Sequence, residues 1–185
     1  MNETVSSKRE TILSAAFTAF SNYGFQRTSM EDIAKGAGVS RPALYQVFAN
    51  KGEIFRALLK DGLAESLHAM RECLTNDGEL QERITQAFEA GLVSQHRMIS
   101  DMPHGHEIFD LKNELAADII EDWTSEVRIV FRQAFQAETS DNTKAEDFAA
   151  LVEHAISGIK SRDLEPDAMS REFLSVARSI GAAFR

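Results

Sequence analysis

The chain has 185 residues, 43% of them hydrophobic, with a formal net charge of −9. That is ample apolar material for one or two small domains with a buried core, and no stretch approaches the length of apolar residues needed to cross a bilayer. A lone cysteine, Cys73, supports no intramolecular disulfide, and the polar start, Met1 to Glu10, lacks the apolar region of a signal peptide, so a cytoplasmic location is expected.

In chain order, Ser7-x-x-Glu10 has the form of a capping box, followed by Ile12, Leu13, Ala16, Phe17 and Phe20 at helical spacing. This predicts a first helix ending near Asn22 to Gly24. Thr28-x-x-Glu31 is a second capping box, and Met30, Ile33, Ala34 and Ala37 give the next helix an apolar stripe. Gly38 can take the left-handed turn that ends this helix, with Val39 filling the gap behind it. A further helix starts at once. Ser40 is a natural N-cap and Pro42 sits in the first turn, where a missing N–H costs nothing. Leu44, Val47 and Phe48 face inward, which leaves Arg41, Ala43, Tyr45 and Gln46 pointing outward. Two short helices joined by a glycine turn, the second polar on its free side, form a helix-turn-helix; the N-terminal half of such a second helix fits the DNA major groove.

Asn50-x-x-Glu53 opens a long helix through about Thr75, and Asn76-Asp77-Gly78 breaks the chain before a helix from about Glu79 to Ser100. Asp101 to His106 is irregular. From Ile108 the apolar pattern resumes through Phe135, long enough for a short helix and then a long one. Thr143-x-x-Glu146 is expected to cap the next helix, and Pro166 to start the last. The small residues Ala155, Gly158, Ala177, Gly181 and Ala182 on these final helices would allow close helix approach. No alternating apolar run is present, so the chain is expected to be all-α, without the hairpin of a winged helix.

Charge is unevenly spread. Up to Arg56 there are seven basic and five acidic residues, so the remainder carries −11. The pattern suits a protein in which only the N-terminal face meets DNA, although an acidic solvated surface without a role reads the same way. Signs of catalysis are missing: there is no G-x-x-x-x-G-K-[ST], no G-x-S-x-G and no H-E-x-x-H, so an enzyme is not expected. His96, His104 and His106 could form a transition-metal site, against the simpler reading that they are solvated or line a pocket. No cofactor is expected.

The run Ile33-Ala34-x-x-Ala37-Gly38-Val39-Ser40-x-x-x-Leu44-Tyr45-x-x-Phe48-x-x-Lys51, with Ile12-Leu13-x-Ala15-Ala16-x-x-x-Phe20 and Gly24-Phe25-x-x-Thr28-Ser29 before it, resembles the DNA-binding domain of the TetR/AcrR-like family of bacterial transcriptional regulators. The resemblance covers about the first third of the chain; beyond it only the layout of helices is similar. It implies an N-terminal three-helix helix-turn-helix domain at residues 1–52 and a C-terminal helical effector-binding and dimerisation domain at 53–185. It also implies Arg41, Pro42, Ala43 and Tyr45 at the DNA, with Thr28 and Ser29 near phosphates and Lys51 on the backbone. Arg41 is the candidate for a guanine edge and Tyr45 for a phosphate.

By the same resemblance an unknown small-molecule effector would sit in the C-terminal body, among Leu67, Met70, Phe88, Leu92, Phe109, Trp123 and Val127, side chains that are more simply the core. The expected function is a ligand-responsive homodimeric regulator, by family habit a repressor, on a palindromic double-stranded operator. Two alternatives stay open: a metal-responsive regulator using the His96/His104/His106 loop, and a helical protein-interaction module without DNA binding.

Overall fold

The structure is a computed structural model describing residues 2–185, with the side chains of residues 2–6, 112 and 113 outside the description. Among the described residues there are ten α-helices and no strand. The chain divides into two compact units, one running to Gly62 and resuming over Ile99–Ile119, the other formed by Leu63–Met98 and Ile120–Arg185.

The first unit contains α1 (Asn2–Tyr23), α2 (Met30–Gly36), α3 (Arg41–Tyr45), the beginning of α4 (Lys51–Thr75) and α7 (Gly105–Leu115). Its core joins Ile12, Leu13, Ala16 and Phe20 of α1 to Ile33, Leu44, Ile54 and Phe55, and Leu111 of α7 is buried in the same cluster. Phe25 bridges the layers, with its ring 5.2 Å from Phe20 and 5.6 Å from Phe55. Two ion pairs brace α4. Arg9 donates to both carboxylate oxygens of Asp61, at 3.0 and 3.2 Å. Arg56 donates to the Leu115 carbonyl and to both oxygens of Asp118, holding that carboxyl down to a pKa of about 2.

Three caps lie elsewhere than the sequence motifs predict. α1 begins at Asn2, so Ser7 is inside the helix, where its carbonyl accepts from Thr11 Oγ1. At α2 the cap is Ser29, one residue beyond Thr28. At α9 (Asn142–Lys160) it is Asp141, whose carboxylate accepts from the N–H groups of Thr143 and Lys144. Glu146, expected in that cap, instead accepts from Arg128 of α8 (Ala117–Glu138).

The second unit is built from the rest of α4 with α5 (Leu80–Phe88), most of α6 (Ser94–Ser100), most of α8, α9 and α10 (Pro166–Ala183). Between α5 and α6 the helix continues as a single π turn, Glu89–Val93. Phe88 packs between Phe131, at 5.4 Å, and Phe173, at 4.7 Å. Further along, Phe135 stacks on Phe184 at 5.2 Å. Gly91 permits the approach of α4, since a Cβ there would stand 2.5 Å from Met70 Cγ, and the buried Ser66 hydroxyl donates to the Gly91 carbonyl. The small residues of the last helices divide by role. Ala177 and Gly181 face inward, Gly181 tightly against Gln81, whereas Gly158 and Ala182 are exposed. No helix among the described residues is long and apolar enough to cross a membrane.

Candidate nucleic-acid interface

α2, α3 and the start of α4 enclose a shallow concavity of about 500 Å³ lined by Gln26 to Glu31, Arg41, Tyr45 and Ala49 to Lys51. Its form follows from local chemistry. Ser29 Oγ accepts from the Asp32 N–H, while Asp32 accepts from the Ser29 N–H and hydroxyl, a reciprocal capping box that fixes the start of α2. Those two donors hold the Asp32 carboxyl below the ordinary carboxylate range. Gly38, at φ +65°, makes the left-handed turn after α2, a conformation that costs glycine nothing. Ser40 then caps α3 by accepting from the Ala43 N–H at 3.3 Å, and Pro42 stands in the first turn.

Leu44 and Phe48 anchor α3 in the core, with Val47 packed partly against them. The opposite side is open: Arg41, Pro42, Tyr45 and Gln46 are exposed and Ala43 is half-buried. Arg41 and Tyr45, the two side chains with most to offer a duplex, share the concavity wall. The Arg41 guanidinium is 3.1 Å from Glu31 on α2.

The remaining candidates at this surface have internal partners. Thr28 is buried, and its hydroxyl donates to the Gly24 carbonyl at 2.8 Å. The Ser29 hydroxyl donates to Asp32 at 2.6 Å. The Lys51 ammonium reaches the carbonyls of Phe25, Gln26 and Thr28 at 2.8 to 3.2 Å and lies 4.5 Å from the Phe25 ring centroid. It ties the start of α4 to the segment entering α2. Glu31 was read in the sequence only as part of a cap; its pairing with Arg41 depends on the angle between α2 and α3, which no periodicity encodes.

Of the effector candidates, Met70, Phe88, Leu92, Trp123 and Val127 are buried in the second unit and Leu67 is half-buried there, whereas Phe109 belongs to the first. Trp123 Nε1 is buried without a hydrogen-bond partner, and the Lys160 ammonium lies 4.8 Å from that ring's centroid. The three histidines are divided, His96 in the second unit and His104 and His106 in the first. His96 Nε2 is 2.8 Å from the Leu164 carbonyl, His104 pairs with Glu107, and among the described residues no group of three or more potential ligands could hold a metal ion. The metal-responsive alternative therefore has no support.

Residues 12–58 match the family described as bacterial regulatory proteins, tetR family. Among curated relatives, the transcriptional activator FasR of Mycolicibacterium smegmatis is 34% identical over 45% of this chain and 38% of its own length. The regulator RutR of Escherichia coli is 31% identical over 64% of this chain and 53% of its own length. The chain thus spans about half or less of these two relatives. The fold extends further. A complex of SmeT with triclosan superposes over 96% of this chain and 91% of that one, with a TM-score of 0.65 at 17% identity; SmeT is the repressor of a multidrug efflux pump in Stenotrophomonas maltophilia.

Proposed function

We propose that the chain, whose residues 12–58 match the tetR family of bacterial regulatory proteins, is a member of that helix-turn-helix family and a cytoplasmic transcriptional repressor, not an enzyme, binding a palindromic operator as a homodimer and responding to a small ligand. The observation that carries this reading is α3 itself, a five-residue helix fastened by Leu44 on one side and exposing Arg41 and Tyr45 on the other. Arg41 would meet a guanine edge and Tyr45 a phosphate, with Pro42 and Ala43 letting the helix sit close to the groove.

One such short helix makes too few contacts for tight binding. A two-fold partner supplies a second half-site about 34–36 Å away. α9 and α10 are the proposed dimer elements, where Leu151, Gly158 and Ala182 lie at the surface. The domain division proposed is 1–52 for DNA and 53–185 for effector and dimerisation. SmeT was solved with triclosan, which supports looking for a small-molecule effector. Leu67, Met70, Phe88, Leu92, Trp123 and Val127 of the second unit are the candidates to meet it, with Phe109 left in the first unit. Because most of them are buried, entry requires the body to rearrange, and a ligand then acts only through its different affinities for the two arrangements.

The test is binding to DNA upstream of the chain's own gene and to duplexes selected from a randomised pool, titrated against salt. Tight binding with a steep salt slope, and loss of about 1–3 kcal/mol of sequence discrimination in Arg41→Ala, is the expected result. No binding to any duplex at low salt would overturn the proposal.

A further inference from the structure

The proposed DNA-facing surface carries one carboxylate, Glu31, that the helix cap does not use and phosphate attraction does not explain. Glu31 and Asp32 both lie in the first turn of α2. Asp32 closes the cap with Ser29, so its presence follows from the fold. Glu31 instead extends across the concavity to Arg41, its Oε2 3.1 Å from Nη1, with the two side chains 69% and 57% exposed. An ion pair this exposed contributes little to stability. On a surface meant for phosphates a carboxylate is also a local penalty.

We propose that Glu31 is a specificity-determining positioning residue, which holds the Arg41 guanidinium over base edges and keeps it from settling on the phosphate backbone of arbitrary DNA. The proposal rests on the DNA-binding reading above. A guanidinium has five N–H donors in a planar fork. The contact with Glu31 is made through Nη1, so donors remain for the O6 and N7 acceptors of a guanine. On random sequence there is no such acceptor pair in register, and Arg41 gains most by turning to a phosphate and releasing a counterion. That turn breaks the pair and leaves the Glu31 carboxylate facing the backbone. Operator binding keeps the pair; nonspecific binding loses it. The carboxylate thus weakens the wrong complexes more than the right one, so it acts on the ratio of affinities.

The experiment uses the full chain and two duplexes of equal length, one selected by the wild type from a randomised pool and one of scrambled sequence, with Glu31→Gln, Arg41→Ala and the double variant. Glu31→Gln is expected to raise affinity for scrambled DNA about threefold, to steepen the salt slope there by up to about 0.9, and to lower discrimination by the same threefold. In the Arg41→Ala background the substitution should leave discrimination unchanged, an effect that a merely structural or long-range electrostatic role would not produce. An unchanged discrimination ratio in Glu31→Gln, or the same change with and without Arg41, overturns the proposal while leaving the DNA-binding reading intact. Failure of the wild type to bind either duplex overturns both.

Discussion

Around α2 and α3 the backbone is held by side-chain polar atoms, each meeting a particular carbonyl or amide, whereas between α5, α8 and α10 it is held by phenylalanine rings spaced 4.7 to 5.4 Å apart. The first arrangement fixes directions: Thr28, Ser29 and Lys51 set the entry to α2, so that Arg41 and Tyr45 can be presented at constant geometry. The second fixes volume, and many apolar sequences could fill it. A surface that reads DNA needs the former kind of constraint, because hydrogen bonds to base edges tolerate little displacement. The body needs only to stay folded and, on the proposed function, to change shape.

Substitutions can break this contrast at either end. The largest effect is expected at Phe88→Ala, which removes the ring between Phe131 and Phe173 and should cost about 3–5 kcal/mol. Thermal or urea unfolding followed by circular dichroism would measure it, and a loss below about 1 kcal/mol would show that the ring layer can collapse around the gap.

Next comes Lys51→Met, which keeps the apolar stem and deletes three donations to carbonyls. A cost of about 1.5–3 kcal/mol is expected, with an unchanged salt slope of DNA binding. A slope reduced by about 0.9 would instead place the ammonium on a phosphate. Thr28→Val is isosteric and leaves the Gly24 carbonyl without its hydroxyl donor, which should cost about 1 kcal/mol by urea denaturation. If the hydroxyl also met DNA, operator affinity measured well below the melting temperature would fall as well.

The smallest effect concerns acid. Asp118 is held at a pKa of about 2 by Arg56, below the value of about 3.9 expected in the unfolded chain. Its contribution to stability is therefore complete above about pH 4 and is lost as pH falls towards about 2. Urea midpoints measured across that window should decline less steeply in Asp118→Asn than in the wild type; parallel curves would show that the pair does not form in solution.

Much of the first unit was legible because its signals are local. Gly38, Ser40 and Pro42 announce a turn, a cap and a helix start, and each plays that part. Three of the capping boxes misled for a physical reason, while Asn50 caps α4 as expected by accepting from the Glu53 N–H. Thr28 and Ser29 can both cap, as Glu31 and Asp32 can both answer, and the choice falls to Ser29 because Thr28 is buried beneath the turn. Ser7 and Thr143 have the right residues three places on, yet a local motif carries no information about whether the preceding residues are already helical. From the family resemblance Lys51 is expected on the DNA backbone; the carbonyls that hold it come from residues 25 to 28 and meet it only once the chain has folded back. In the body the apolar positions were visible, but nothing in their spacing announced the π turn.

That turn bears on how the chain tolerates insertion and deletion. A π turn accommodates one residue more than an α-helical turn, and here the widened stretch contains Gly91, whose carbonyl meets Ser66 and whose missing Cβ makes room for Met70. Deleting one residue between Glu89 and Val93 would let the backbone relax into uninterrupted α-helix, a repair at the local level. Because the π turn already absorbs the extra residue, side chains beyond it would keep nearly their present direction relative to α5, whereas the same residue added to a plain α-helix would rotate them by about 100°. His96 would stay at the Leu164 carbonyl, and Arg97 near Glu89 and Asp167. The π turn thus works as a phase keeper, absorbing one residue without changing which face α6 turns to its neighbours.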